Sequence, residues 1–191
     1  MIELFSRLVF FSVVSPKRGG HFLLKSQVTS SGLVHLAALV FVLSAIAIIL
    51  GNLVNQEIQV SARSLIGLQV LSFVVMTVAT YFVGRLFGGT GTFQQTVLVI
   101  CWLDIVLAIC QIIQLLFVAV LSAMPFLGGF GALLVSLATA IPLFLFFWLY
   151  ANFVTVLHGF QSAAKVLGVM LLGMFAMSIF LLFVVSVVSP A

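Results

Sequence analysis

Acidic side chains are scarce in this chain, with three Asp or Glu against seven Lys or Arg in 191 residues. Charged residues of both signs reach only 5%, whereas soluble domains carry about 25%. Ten charges cannot clothe a soluble fold of this length, so its surface must face lipid. Cysteine is nearly absent too. Cys101 and Cys110 lie nine residues apart in one apolar run. On a helix they occupy opposite faces about 13 Å apart along the axis, too far to bridge, and read as small apolar fillers. No dense basic stripe accompanies the net charge of +4, which excludes a nucleic-acid site. No tandem repeat, soluble linker or second domain is visible.

What is present is apolar. Hydrophobic residues make up 64% of the chain, and the mean hydropathy is +1.45. A bilayer core needs about 20 apolar residues in helical form. Five runs qualify, at about 33–54, 65–84, 96–123, 131–157 and 166–188. The expected fold is all-α: a polytopic membrane protein with a bundle of five transmembrane helices (residues 31–191) after an amphipathic segment (residues 1–30). The connections hold breakers: Asn55-Gln56-Glu57, Gly88-Gly89-Thr90-Gly91, Pro125 with Gly128, Gly129 and Gly131, and His158-Gly159. Short connections make neighbouring spans antiparallel.

Lys and Arg orient the bundle. With the N-terminus inside, Arg7, Lys17, Arg18, Lys25, Arg85 and Lys165 all lie inside and only Arg63 lies outside. The N-terminus is therefore expected in the cytoplasm and the C-terminus, Ser189-Pro190-Ala191, on the far side. Residues 1–14 are too short to span and pair Glu3 with Arg7 at i, i+4. They lack the basic start of a signal peptide and read as a helix lying in the membrane interface, ended by Pro16. Phe22 to Ser30 is expected to form a second surface helix.

Asp104 is the only charge within a span, about 12 Å from the start of span three. A carboxylate there must face protein or a wet cavity. Gln94, Cys101, Asp104, Ala108 and Gln111 form one stripe, flanked by Gln114. With Asn152 of span four, Asp104, Gln111 and Gln114 make a candidate intramembrane polar cluster. Interhelical hydrogen bonding is the favoured role and a small transporter or channel component the alternative, since no second acid and no buried Lys or Arg offers a relay partner. Gly128, Ala132, Ser136 and Ala140 form a small-xxx-small packing row on span four, and Pro142 is expected to kink that helix. His35 and His158 lack a ligand at helical spacing, so no metal is expected. Gly88-Gly89-Thr90-Gly91 is followed by no Lys-Ser/Thr, so it is no phosphate cradle. No nucleophile-elbow or zinc-protease motif occurs, and neither an enzyme nor a cofactor is expected.

The stretch Gly84-Arg85-Leu86-Phe87-Gly88-Gly89-Thr90-Gly91-Thr92-Phe93-Gln94-Gln95 resembles the Gly-Gly-x-Gly-x-Phe turn of the Yip-one (Ypt-interacting protein) domain family, between spans two and three. Asn152-Phe153 through Leu157-His158-Gly159-Phe160 resembles the turn after span four in bacterial members, and Ser15-Pro16 fits the approach to span one. The resemblance covers nearly the whole chain. It implies a five-span membrane protein and no biochemical activity; the function expected is that of a non-enzymatic membrane scaffold or interaction protein. Eukaryotic members of that family bind Rab-type GTPases, act in vesicle traffic and carry a long hydrophilic N-terminal region. The short stretch before span one implies instead a bacterial-type member in an inner membrane, with no Rab-type GTPase as partner. The partners expected are the lipid bilayer and a second copy or other membrane proteins.

Overall fold

The structure, a computed structural model, describes residues 2–26, 28–54, 61–124 and 128–188. The loops expected at Asn55–Glu57 and Pro125, the Glu3–Arg7 side-chain pair and residues 189–191 lie outside the described residues and side chains. Among the described residues seven helices follow one another: α1 (Ile2–Val14), α2 (Pro16–Lys25), α3 (Ser30–Val54), α4 (Ala62–Leu86), α5 (Phe93–Ser122), α6 (Gly128–His158) and α7 (Ala163–Val188). Among the described residues there is no strand. Lipid cannot hydrogen-bond a backbone, so apolar runs of this length become helices, which satisfy their own N–H and C=O groups. Among the described residues four helices, α3, α4, α5 and α6, are long and apolar enough to cross a membrane.

Pro16 divides the leading segment as its chemistry requires. Ser15 leaves helical geometry at φ −140° and ψ 69°, and Pro16 opens α2, where its missing N–H costs no bond. The second helix therefore starts at Pro16 and ends at Lys25, not over Phe22 to Ser30. It is strongly two-faced. Pro16, Gly19, Gly20 and Leu23 are buried at i, i+3, i+4 and i+7, while Lys17, Arg18, His21 and Lys25 are exposed. Its small-residue face lies on α6, where a methyl group on Gly20 would meet Val156 and Phe153 at 3.4–3.5 Å. The leader thus docks on the bundle: α1 and α2 pack as a hairpin, and Leu23 joins the main core.

α5 and α6 are the central pair. Leu98, Val99, Trp102, Leu103 and Val106 of α5 interlock with Leu149, Phe153, Val154 and Leu157 of α6. A second cluster joins Val40 of α3 to Cys101 and Ile105. Both clusters occupy the first half of α5, and the α6 share lies in its last half. Towards the other end Ile113, Leu116 and Phe117 of α5 and Leu133, Leu137 and Ile141 of α6 are exposed, a lipid-facing surface in a membrane. α6 remains helical through Pro142.

Candidate functional site

The two glycine turns singled out in the sequence are one structure. α4 ends with Gly88 at φ +79°, a left-handed position that suits glycine. Gly89 N–H donates to the Gly84 carbonyl at 2.8 Å and Gly88 N–H to Arg85 at 3.0 Å, the paired bonds of a Schellman cap. α6 ends the same way: Gly159 takes φ +71° and Phe160 N–H donates to Thr155 at 2.9 Å. The two caps lie side by side, joined by Thr90 N–H donating to the His158 carbonyl at 3.3 Å. Thr92 and Gln95 then restart the chain as a capping box, with Gln95 N–H to Thr92 Oγ1 at 3.3 Å and Thr92 N–H to Gln95 Oε1 at 3.0 Å. Phe93, first residue of α5, lies edge-on to Tyr81 at 5.6 Å.

His158 fills the seam between the caps and is 2% exposed. Glycine makes the room. A β-carbon on Gly84 would collide with the imidazole, one on Gly89 would stand 2.5 Å from Nδ1, and one on Gly91 would stand 2.9 Å from the Leu157 carbonyl. Phe160 stacks on the ring at 5.5 Å and 25°. Neither ring nitrogen closes a hydrogen bond of normal geometry, although the Thr80 backbone approaches the ring. In the sealed seam the imidazole is a shaped packing element that locks the α4–α5 turn to the α6–α7 turn.

Two buried polar pairs brace the same end. Thr80 Oγ1 donates to the Met76 carbonyl at 2.6 Å, so its one proton is used and Tyr150 O–H donates to it at 2.8 Å, tying α4 to α6. Ser12 donates to the Leu8 carbonyl at 2.7 Å and accepts from Trp102 Nε1–H at 2.8 Å, tying α1 to α5. Ser12 is fully buried. A methyl group on Gly19 would press to 2.9 Å from Ser12 Cα, so the hairpin needs glycine there. Sequence reading missed Gly84, Thr80 and the Ser12–Trp102 pair. A hydroxyl or indole in an apolar run is the signal available, but its partner lies 70 or 90 residues away.

The expected polar cluster does not assemble. Asp104 borders a cavity of about 40 Å³ with Ser72, Phe73 and Met76 of α4 and Phe146 and Tyr150 of α6. Asn152 is buried but its Nδ2 donates to its own helix, at the Trp148 carbonyl 2.8 Å away. Gln94 and Gln111 are exposed, Gln114 is half-buried, and no hydrogen bond joins Asp104 to either Gln111 or Gln114. Cys101 turns to Val40, and Ala108 is buried, so the stripe is shared among several neighbours. His35 is exposed, its Nδ1 against the Ser31 carbonyl at 2.7 Å, and it does not join His158. On α6 Gly128, Ala132, Ser136 and Ala140 are all exposed, so among the described residues this row is not buried against another helix.

The family model of the Yip1 domain matches residues 12–185, a stretch that begins at buried Ser12 and contains both glycine turns. No curated protein and no solved structure matches the chain.

Proposed function

The chain belongs to the Yip1 domain family, and from that premise we propose a non-catalytic transmembrane protein that gathers other membrane proteins, or a second copy of itself, by helix packing. One observation carries this reading: the exposed row of Gly128, Ala132, Ser136 and Ala140 on α6. In lipid, helices associate through close backbone approach, which small residues at i+4 spacing permit. Ser136 returns its hydroxyl to the Ala132 carbonyl at 3.0 Å, so the row is polar-satisfied while it awaits a partner.

In this reading α7, 26 residues long, is the fifth span. The N-terminus is cytoplasmic and the C-terminus outside, which the basic residues support: Lys17, Arg18, Lys25, Arg85 and Lys165 are exposed on the elements gathered at the His158 end. The likeness of Asn152 through Phe160 to the bacterial turn supports a bacterial-type member in an inner membrane, with neither a Rab-type GTPase nor nucleic acid as partner. Transport along Asp104 and Gln111 is the weaker reading. The Asp104 cavity is only about 40 Å³, too small for a continuous path, and Gln111 is exposed.

A photo-crosslinking side chain placed at Ser136 in native membranes tests the proposal. It is expected to capture a protein, whereas the same probe at Leu172, 70% exposed on α7, captures only lipid. Equal protein capture, or none, at the two positions contradicts the reading.

A further inference from the structure

α4 and α7 both lean on α6 but scarcely meet each other. Between them lies a fissure of about 680 Å³, within the range of about 300–1,000 Å³ typical of small-molecule sites. Its walls are apolar, with Met76 and Val83 on α4, Val154 on α6, and Val166 and Met170 on α7. Thr80 and Tyr150 also line it, their hydroxyls bonded to each other. An occupant of its depth therefore meets hydrocarbon and needs no hydrogen bonds there. One end differs: Gln161, Ser162 and Lys165 stand at the mouth, beside the two glycine turns.

We propose that this fissure binds one anionic phospholipid, with an acyl chain between α4 and α7 and the headgroup phosphate at Lys165. Length supports the occupant. From Lys165 to Gly173, which also lines the fissure, α7 rises about 12 Å. Half of a hydrocarbon core of about 30 Å is about 15 Å, so among the described residues the fissure runs through most of one leaflet. Charge supports it as well. Lys165 is exposed and makes no ion pair among the described residues, whereas Arg85 stands over the Tyr81 ring at 5.8 Å. A basic mouth between transmembrane helices is the arrangement that holds anionic headgroups. The inference rests on a membrane-embedded bundle and does not depend on the partner-gathering role of α6.

Native mass spectrometry of the purified full chain tests it, with phosphatidylglycerol and phosphatidylcholine of identical acyl chains. Phosphatidylglycerol is expected to bind more tightly. Lys165→Gln should weaken it by about fivefold, the effect of one basic residue near a headgroup, and leave phosphatidylcholine unchanged. Lys25→Gln on α2 should change neither. Val166→Trp, which fills the fissure, should lose both lipids, and melting in lipid-free detergent checks that each variant is folded. Equal affinity for the two lipids, or no loss in Lys165→Gln, overturns the headgroup assignment. A lipid-free dimer of the unaltered chain that Val166→Trp dissociates overturns the lipid assignment in favour of a contact between copies.

Discussion

The two ends of the bundle share a composition but not an architecture. At the His158 end, α2, α4, α5 and α6 meet with Thr80 paired to Tyr150, Ser12 to Trp102, and the glycines pressed against neighbours. At the other end the same kinds of residue (Leu, Ile, Phe) point outward, and a methyl group added to Gly129 would meet nothing within 4 Å. Hydrophobicity does not separate the ends, because lipid receives apolar side chains as readily as protein does. Shape and hydrogen bonding do. The lesson is that a membrane bundle is specified where small residues let backbones approach and where a buried polar group finds one partner.

The sharpest way to break this contrast uses two glycines of a single helix. Gly84→Ala drives a methyl group into the His158 ring and is expected to lower stability by about 3 kcal/mol, the upper range for overpacking. Gly67→Ala, on the same helix with nothing within 4 Å, should instead be neutral or raise stability by up to about 1 kcal/mol, as alanine replaces glycine in a helix. Reversible unfolding in mixed micelles measures both. Equal effects would show that the seam is not selectively packed.

His158→Ala comes next, with an expected loss of about 2 kcal/mol from the cavity left between the turns. The two changes should not add. With the ring gone, most of the cost of Gly84→Ala should disappear, because its collision partner is missing. A double-mutant cycle in the same assay checks this. Additive losses would mean that the two residues do not share the seam.

Smaller effects sharpen the comparison. Trp102→Phe keeps the packing but leaves Ser12 without its indole donor, for an expected loss of about 1 kcal/mol. Ser12→Ala should cost a similar amount and, in combination with Trp102→Phe, little more. The least effect is expected at Asp104→Asn. The side chain borders a small cavity and bonds to neither Gln111 nor Gln114, so melting should change by less than about 1 kcal/mol. A larger loss would reveal a structural hydrogen bond at Asp104 that the packing does not explain.

Much of the architecture was legible because membrane helices announce themselves locally. Apolar length marked the runs that became α3 to α6, and the glycine turns marked the ends of α4 and α6. Pro16 marked a boundary, but reading it only as a terminator hid its second role as the start of α2. The polar residues were harder. Asp104 drew attention as a lone charge, yet the polar atoms that join helices belong to Thr80, Tyr150, Ser12 and Trp102, which look ordinary in an apolar sequence. Asn152 looked like an interhelical donor and bonds its own helix instead.

By itself, then, the sequence determined solvent, helical class and the two glycine turns, since hydropathy, proline and glycine act on the chain within a few residues of where they stand. The tertiary structure alone decided which faces meet. It set His158 among Gly84, Gly89 and Gly91, turned the small-residue row of α6 outward, docked the leader against α5 and α6, and opened the fissure beside Lys165. Each of these depends on close approach between helices far apart in the chain, and in an environment where every face is apolar no periodicity distinguishes a face that meets protein from one that meets lipid.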